Sequence, residues 1–229
     1  MQKISHHAGV AIIESLDGNE FLFNRYDDNY IPVFRNSLHL IGGNHNTEDI
    51  SPLGLLEREL DEEFSIVQES GPEDDMERVL GKLKGPQTFR KEDMASESEI
   101  QFIKSAILNN LQPYLDFMCQ VPAIDERQSF DFIYSVCIAR LSNEVIECIK
   151  ENLSLSKHIK NEGAACLIRR NDLSKEKMFG WGAGKIMEYY TGLKLNSLES
   201  MGSYVVGKPR ETFVQYLSDF EYKKPVRKD

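Results

Sequence analysis

The chain has few cysteines, a deficit of positive charge and no long apolar run, and each shortage excludes something. The four cysteines, Cys119, Cys137, Cys148 and Cys166, include no C-x-x-C pair. That spacing argues against a zinc ribbon, a thioredoxin-like redox pair or a disulfide frame, and reads as reduced, mostly buried thiols of a cytoplasmic protein. Lys and Arg number 27 against 37 Asp and Glu, a formal net charge of −10. So acidic a balance argues against a broad nucleic-acid-binding face. It leaves room for a small phosphate-bearing ligand, because a bound metal reverses the local sign. No apolar stretch approaches the length of a membrane span, and residues 1–5 lead into a strand-like run with no signal-peptide pattern. The glycine run Phe179-Gly180-Trp181-Gly182-Ala183-Gly184 lacks the Gly-Lys-Ser/Thr ending of a P-loop and reads as the lead into a short helix, 185–190. There is no internal repeat.

What is present fits one globular domain over residues 1–229, with 41% hydrophobic and 28% charged residues. Residues 8–13 read as a buried strand, with His6 and His7 leading into it rather than binding a metal. Asp17-Gly18 marks a hairpin, residues 20–25 return as a second strand, and residues 33–41 contain a third. Residues 68–127 read as a helical insertion. It holds the acidic turn Gly71-Pro72-Glu73-Asp74-Asp75 and a helix over 98–111 with Ile100, Ile103, Ile107 and Leu111 on one face; Pro113 ends or kinks that helix. Residues 128–141 form the strongest strand pattern in the chain. A helix over 142–153 follows, with Asn143 as its cap, then a short strand over 164–169 and a turn opened by Asn171-Asp172-Leu173. A last amphipathic helix carries Phe213, Tyr216 and Leu217, and residues 223–229 read as a flexible basic tail. Strands interleaved with amphipathic helices make the fold class α/β.

The chemistry is concentrated in residues 42–66. A Gly42-Gly43 turn and a polar loop lead to Ser51-Pro52, a good helix start: Ser caps, and Pro at the first helical position loses no needed N–H. Leu53, Leu56, Leu60 and Phe64 recur at helical spacing as an apolar stripe. Glu59, Glu62 and Glu63 are three and four residues apart, so their carboxylates gather on one neighbouring face and repel. A divalent ion relieves that repulsion, and carboxylate oxygens are the natural ligands of Mg²⁺. Arg58 can hydrogen-bond a carboxylate and fix its orientation. Taken alone, such a cluster is more often a solvated helix face.

The whole pattern carries more. Arg58-Glu59-Leu60-Asp61-Glu62-Glu63, behind a Gly-Gly pair and an acidic loop, resembles the Nudix box of Nudix hydrolases. Asp49 stands where the loop Glu falls, the step from Asp49 to Arg58 is one residue longer, Ser65 replaces the Gly after the helix, and Ile41 replaces the Pro before the glycines. The resemblance implies a Nudix-type α/β/α sandwich with a mixed sheet. It implies metal-dependent cleavage of the diphosphate linkage of a nucleoside diphosphate derivative. Glu59, Glu62 and Glu63 would hold Mg²⁺ or Mn²⁺, with the Gly43 carbonyl as a further ligand. Arg58 would orient a glutamate. The base would be a box glutamate, Glu62 among them, or Glu162, which precedes a strand as a further acid does in that family. Tyr26, Tyr30, Phe34 and Phe130 are candidates for stacking the base. Many members of the family are dimers, which leaves a homodimer open. A different class, a Nudix-fold domain that binds a nucleotide metabolite as a sensor or interaction module without cleaving it, agrees with the altered loop and Ser65.

Overall fold

The computed structural model describes residues 5–28, 30, 34–46, 48–66, 88–121, 130–197, 204–208 and 221–223. The chain order is β1 (Ser5–Ser15), β2 (Glu20–Arg25), β3 (Leu38–His39), β4 (Ile41–Asn44), α1 (Pro52–Glu63), α2 (Glu97–Asn110), β5 (Gln112–Val121), β6 (Phe130–Leu141), α3 (Asn143–Ser154), β7 (Ala164–Arg169), α4 (Ala183–Thr191), β8 (Tyr204–Gly207) and β9 (Glu221–Lys223). Short 3₁₀ turns at Lys91–Asp93 and Arg170–Lys175 join them.

All the described strands lie in one mixed sheet, ordered β3-β2-β1-β6-β5-β8-β9, with β4 on β1 and β7 on β2. β1 and β6 run parallel along the whole of β1, and the remaining pairs are antiparallel. A parallel pair at the middle of a sheet is covered on both faces, which explains why β6 reads as a nearly unbroken apolar run. Alternate residues supply two cores. On one face Ala11, Ile13, Leu22, Ile41, Cys137 and Ala139 meet α1, α2 and α3 through Leu56, Leu60, Ile103, Ile107, Val145 and Ile149. On the other, Val10, Ile12, Phe21, Phe23, Phe132 and Tyr134 meet α4 through Ala183, Ile186 and Met187. The fold is therefore an α/β sandwich with a mixed sheet between helices.

One local feature places the chemistry. β1 and β2 pair at Ile13–Leu22 and Glu14–Phe21 and then part. Residues 38–44 enter the gap, with Leu38 and His39 on β2 and Ile41 to Asn44 on β1. The expected glycine turn is thus a strand: Gly42 and Gly43 pair with Val10 and Gly9. Gly42 holds φ +136°, a region that favours glycine, and a Cβ there would lie 2.1 Å from the Gly9 carbonyl oxygen.

Residues 68–127 hold the helix the spacing predicted, α2, whose Ile100, Ile103 and Ile107 are fully buried and whose start is a capping box of Ser96 and Glu99. They also hold an element the sequence reading missed. β5 follows α2 at once and lies inside the sheet between β6 and β8, with its register shifting between Pro113 and Leu115. This span is thus part helix and part sheet rather than a helical appendage. Proline ended the helix as expected, but its missing N–H sits at an irregular point of the ladder, where a strand tolerates it. The acidic turn at 71–75 and the helix around Phe213 lie outside the described residues. Ser142, not Asn143, takes the cap position of α3. Lys223, expected in a tail, is the last residue of β9; 224–229 lie outside the described residues. No helix among the described residues is long and apolar enough to cross a membrane.

Candidate acidic site on the first helix

Helix α1 begins as its sequence requires. Ser51 is extended at the cap and its hydroxyl accepts from the Gly54 N–H at 3.1 Å, with Pro52 in the first turn. Leu55, Leu56 and Leu60 are fully buried against the sheet, and this pins the opposite edge of the helix, with its glutamates, beside β4. Gly43 is what allows the approach: a Cβ there would lie 2.2 Å from the Glu59 carboxylate. A glycine in this strand therefore makes a cradle for the Glu59 carboxylate.

Arg58 organises the first half of the site. Its guanidinium donates Nε–H to Asp49 Oδ1 and Nη2–H to Asp49 Oδ2, both at 3.0 Å, the two-pronged geometry that a planar fork favours. It also donates to the Asn44 carbonyl at 3.0 Å and to Glu62 at 3.2 Å, and pairs with Glu59 at 2.8 Å. One side chain thereby ties the loop after β4 to the helix. Burial works to raise the Asp49 proton affinity, but the Arg58 hydrogen bond and the Asn46 backbone N–H outweigh it and hold the carboxyl below its usual range. The loop residue that stands for the loop Glu of the box is thus the first partner of Arg58.

The second half is assembled from a distant part of the chain. The last carbonyls of a helix have no partner within it. Asn161 supplies donors to two of them, its backbone N–H to the Glu63 carbonyl and its Nδ2–H to the Glu62 carbonyl, both at 2.7 Å. This dock carries the neighbouring residues in. Lys160, with no solvent-accessible surface, forms an ion pair with the Glu63 carboxylate. Two carboxylates in the last turn face the negative end of the helix dipole, which disfavours them, and α1 has no basic residue of its own there. Glu162 stands within electrostatic reach of Glu63 and Glu62; burial first, then Glu63, raise its proton affinity, with Lys160 opposing. Glu63 is raised chiefly by burial, against the pull of Lys160. For Glu59, burial leads, Glu63 and Glu62 add to it and Arg58 subtracts, leaving its pKa pushed up to about 8.

Around this cluster lies a polar and aromatic shell. Tyr26 packs 4.0 Å from Tyr30 and 4.4 Å from His39 between ring centroids, and its hydroxyl feels Glu63, Glu162 and Glu59. The His39 ring meets the Ser37 hydroxyl through Nε2 at 2.6 Å, and that hydroxyl donates its one proton to the Phe34 carbonyl. Nε2 must then carry the hydrogen, and burial and Lys160 push the His39 pKa down to about 3, so near neutral pH the ring is the uncharged Nε2–H tautomer. Phe34 is fully buried and stacks on Trp181 at 4.2 Å, which makes it a core residue rather than an exposed platform. Phe130 is the first residue of β6. A separate cavity of about 650 Å³ beside α4, lined by Lys177, Lys185, Glu188, Lys194 and their neighbours, shares no residue with the acidic cluster.

The structure thus brings Arg58, Glu59, Glu62, Glu63 and Glu162 together with Gly43. Lys160, Asn161 and His39 were missed by the sequence reading. The one signal available for Lys160 and Asn161 was their place directly before Glu162. A hard divalent cation suits the donors in kind, since they are carboxylate oxygens beside a glycine cradle. Among the described residues, however, no three His, Cys, Asp or Glu side chains converge as a ready cage. Their oxygens are turned onto Arg58 and Lys160.

No family model matches this chain, and no curated protein matches it. Among solved structures, a Nudix hydrolase from M. Smegmatis, RenU, is similar at 7% identity and a TM-score of 0.36, over 83% of this chain and 88% of that one. A likeness that slight assigns neither family nor activity, so the functional reading rests on the residues of the site.

Proposed function

We propose that this protein is a Nudix-type hydrolase that uses Mg²⁺ or Mn²⁺ to cleave the diphosphate linkage of a nucleoside diphosphate derivative. One observation carries the reading. Five carboxylates, Asp49, Glu59, Glu62, Glu63 and Glu162, are linked in one electrostatic cluster, and the cations ion-paired within it, among the described residues, are Arg58 and Lys160. A fold has little reason to crowd carboxylates in such excess unless a further cation joins them.

Glu59, Glu62, Glu63 and the Gly43 carbonyl would hold the ion. When bound, it supplies charge neutralisation on the phosphoryl oxygens and a lowered pKa for water. The residues of the chain do the rest. Arg58 fixes Glu59 and Glu62 and, being fully engaged with protein oxygens, does not touch substrate. Glu162, half-buried beside Glu62 and Glu63, has a proton affinity raised by burial and by Glu63, and would take the proton from water at a carboxylate oxygen. Tyr26 and Tyr30, whose rings pack together beside the cluster, would be the aromatic faces offered to a base.

The test is hydrolysis of a panel of nucleoside diphosphate derivatives with Mg²⁺ or Mn²⁺, products read by mass spectrometry. Glu62→Gln keeps the shape and removes the charge. Glu62 is 42% exposed on its side chain, so the fold is expected to stand while turnover is lost. Unchanged turnover would remove Glu62 from the mechanism. A second reading, a domain that binds a nucleotide metabolite without cleaving it, is favoured by one observation: Lys160 already supplies a cation to Glu63. In that case a ligand from the panel raises the melting temperature and no product forms.

A further inference from the structure

Lys160 has no part in the box pattern, yet it is paired with the last of its glutamates, Glu63. Lysine is almost never fully buried unless paired. Here the ammonium is buried against one carboxylate, Glu63, which is itself 7% exposed. The segment that carries it is fixed on both sides. Asn161 bonds the carbonyls of Glu62 and Glu63, and the Phe89 N–H donates to the Asn161 carbonyl at 3.2 Å. On the other flank His158 exchanges bonds with Asp93 and Ala95 at 3.0 and 2.7 Å. This is a cation anchored at its backbone, not a surface side chain that happened to fold inward. Glu162, His39 and Cys166 also stand within its electrostatic reach.

A fixed positive charge against Glu63 does for that carboxylate what a metal ion would do. It also repels a second cation approaching the same oxygen. We propose that Lys160 is a built-in competitor of the divalent ion: it neutralises Glu63 when the site holds no metal, keeping the metal-free protein folded, and weakens metal binding. This rests on the metal-dependent reading of the site. It makes Lys160 a positioning residue, acting through Glu63, with no contact to substrate. It also accounts for the Glu63 carboxylate being turned onto a protein cation and away from the other box glutamates, which face Arg58.

The test is calorimetric titration of the full chain with Mn²⁺, set beside thermal unfolding with and without the ion. Lys160→Met keeps the length and removes the charge. It is expected to lower the metal-free melting temperature, because a buried carboxylate loses its partner. It is expected to bind Mn²⁺ about tenfold more tightly than the wild type or better, and to regain more thermal stability from the ion. Lys160→Arg keeps the charge and is expected to bind Mn²⁺ within about threefold of the wild type. Should Lys160→Met fail to fold without metal, recovery of the native spectrum on refolding with Mn²⁺ supports the proposal, and no recovery overturns it if Lys160→Gln folds and binds Mn²⁺ no better than the wild type. Equal or weaker Mn²⁺ binding by a folded Lys160→Met, with the wild type binding normally, overturns the proposal and leaves the hydrolase reading standing. No Mn²⁺ binding by any form removes the metal-dependent reading and the proposal with it, a pattern distinct from the other.

Discussion

Arg58 is the side chain whose loss the site should feel most, and the size of that loss can be worked from its contacts. Arg58→Met keeps most of the aliphatic stem and removes the guanidinium, and with it the paired bonds to Asp49, the bond to the Asn44 carbonyl and the pairing with Glu59 and Glu62. The Asp49 side chain is 4% exposed, so its carboxylate is left inside with one backbone donor, the Asn46 N–H, and without its guanidinium partner. Breaking a buried ion pair from one side costs about 3–5 kcal/mol. Here the Arg58 side chain is 26% exposed and that of Glu62 42% exposed, so solvent screens their share, and the Glu62 pair adds well under about 1 kcal/mol. The expected cost is about 3 kcal/mol, most of it at Asp49. For a chain of this size that is a fall in melting temperature of about 6–12 °C. Arg58→Lys restores the charge without the fork, can meet one Asp49 oxygen at a time, and is expected to recover about half the loss. Urea unfolding followed by circular dichroism checks the energies, and amide exchange at residues 45–49 should quicken, because the loop has lost its tie to α1. If Arg58→Met falls within about 0.5 kcal/mol of the wild type, the guanidinium is not what holds the loop to the helix, and the account of the site is wrong.

Other consequences can be checked separately. Gly43→Ala puts a methyl into the Glu59 carboxylate; the glutamate can swing aside, so stability is expected to change by less than about 1 kcal/mol while Mn²⁺ affinity falls, which calorimetry reads. The Glu59 pKa, about 8 in the fold against an ordinary 4.5, sets a pH dependence. Its native state binds the proton more tightly, so this contribution to stability is fully present below 4.5 and is lost as pH rises through about 8. Metal-free wild type is expected to lose melting temperature over that window, and Glu59→Gln to lose less. Asp49 has the opposite sign: its contribution is present above 3.8 and is lost as the medium becomes more acidic, so the Arg58 variants should show a flatter acid limb.

How much of this was legible before the fold is clearest in α1. Its start, its buried stripe and the adjacency of Glu59, Glu62 and Glu63 follow from local rules: a Ser cap, Pro in the first turn and a period of 3.6 residues. The hairpin at Asp17-Gly18, the strand at 130–141 and the apolar face of α2 were legible for the same reason. Glu162 could be singled out because it sits just before a recognisable strand. The misreadings share a cause. Gly42-Gly43 carries the signature of a turn, yet β4 is a strand, because residues 38–44 fill the gap where β1 and β2 part. β5, with Pro113 as its second residue directly after a helix, is a strand because β6 offers it an edge on one side and β8 pairs with it on the other.

The charge balance of the site divides along the same line. The sequence by itself determined that three carboxylates share a helix face with Arg58, since helical spacing is a local property of the chain. The tertiary structure alone decided that Asn161 caps the end of that helix and that Lys160, about a hundred residues away in sequence, is buried against Glu63. The pairing of two distant charges depends on where the backbone carries them, and no spacing rule along the chain encodes it.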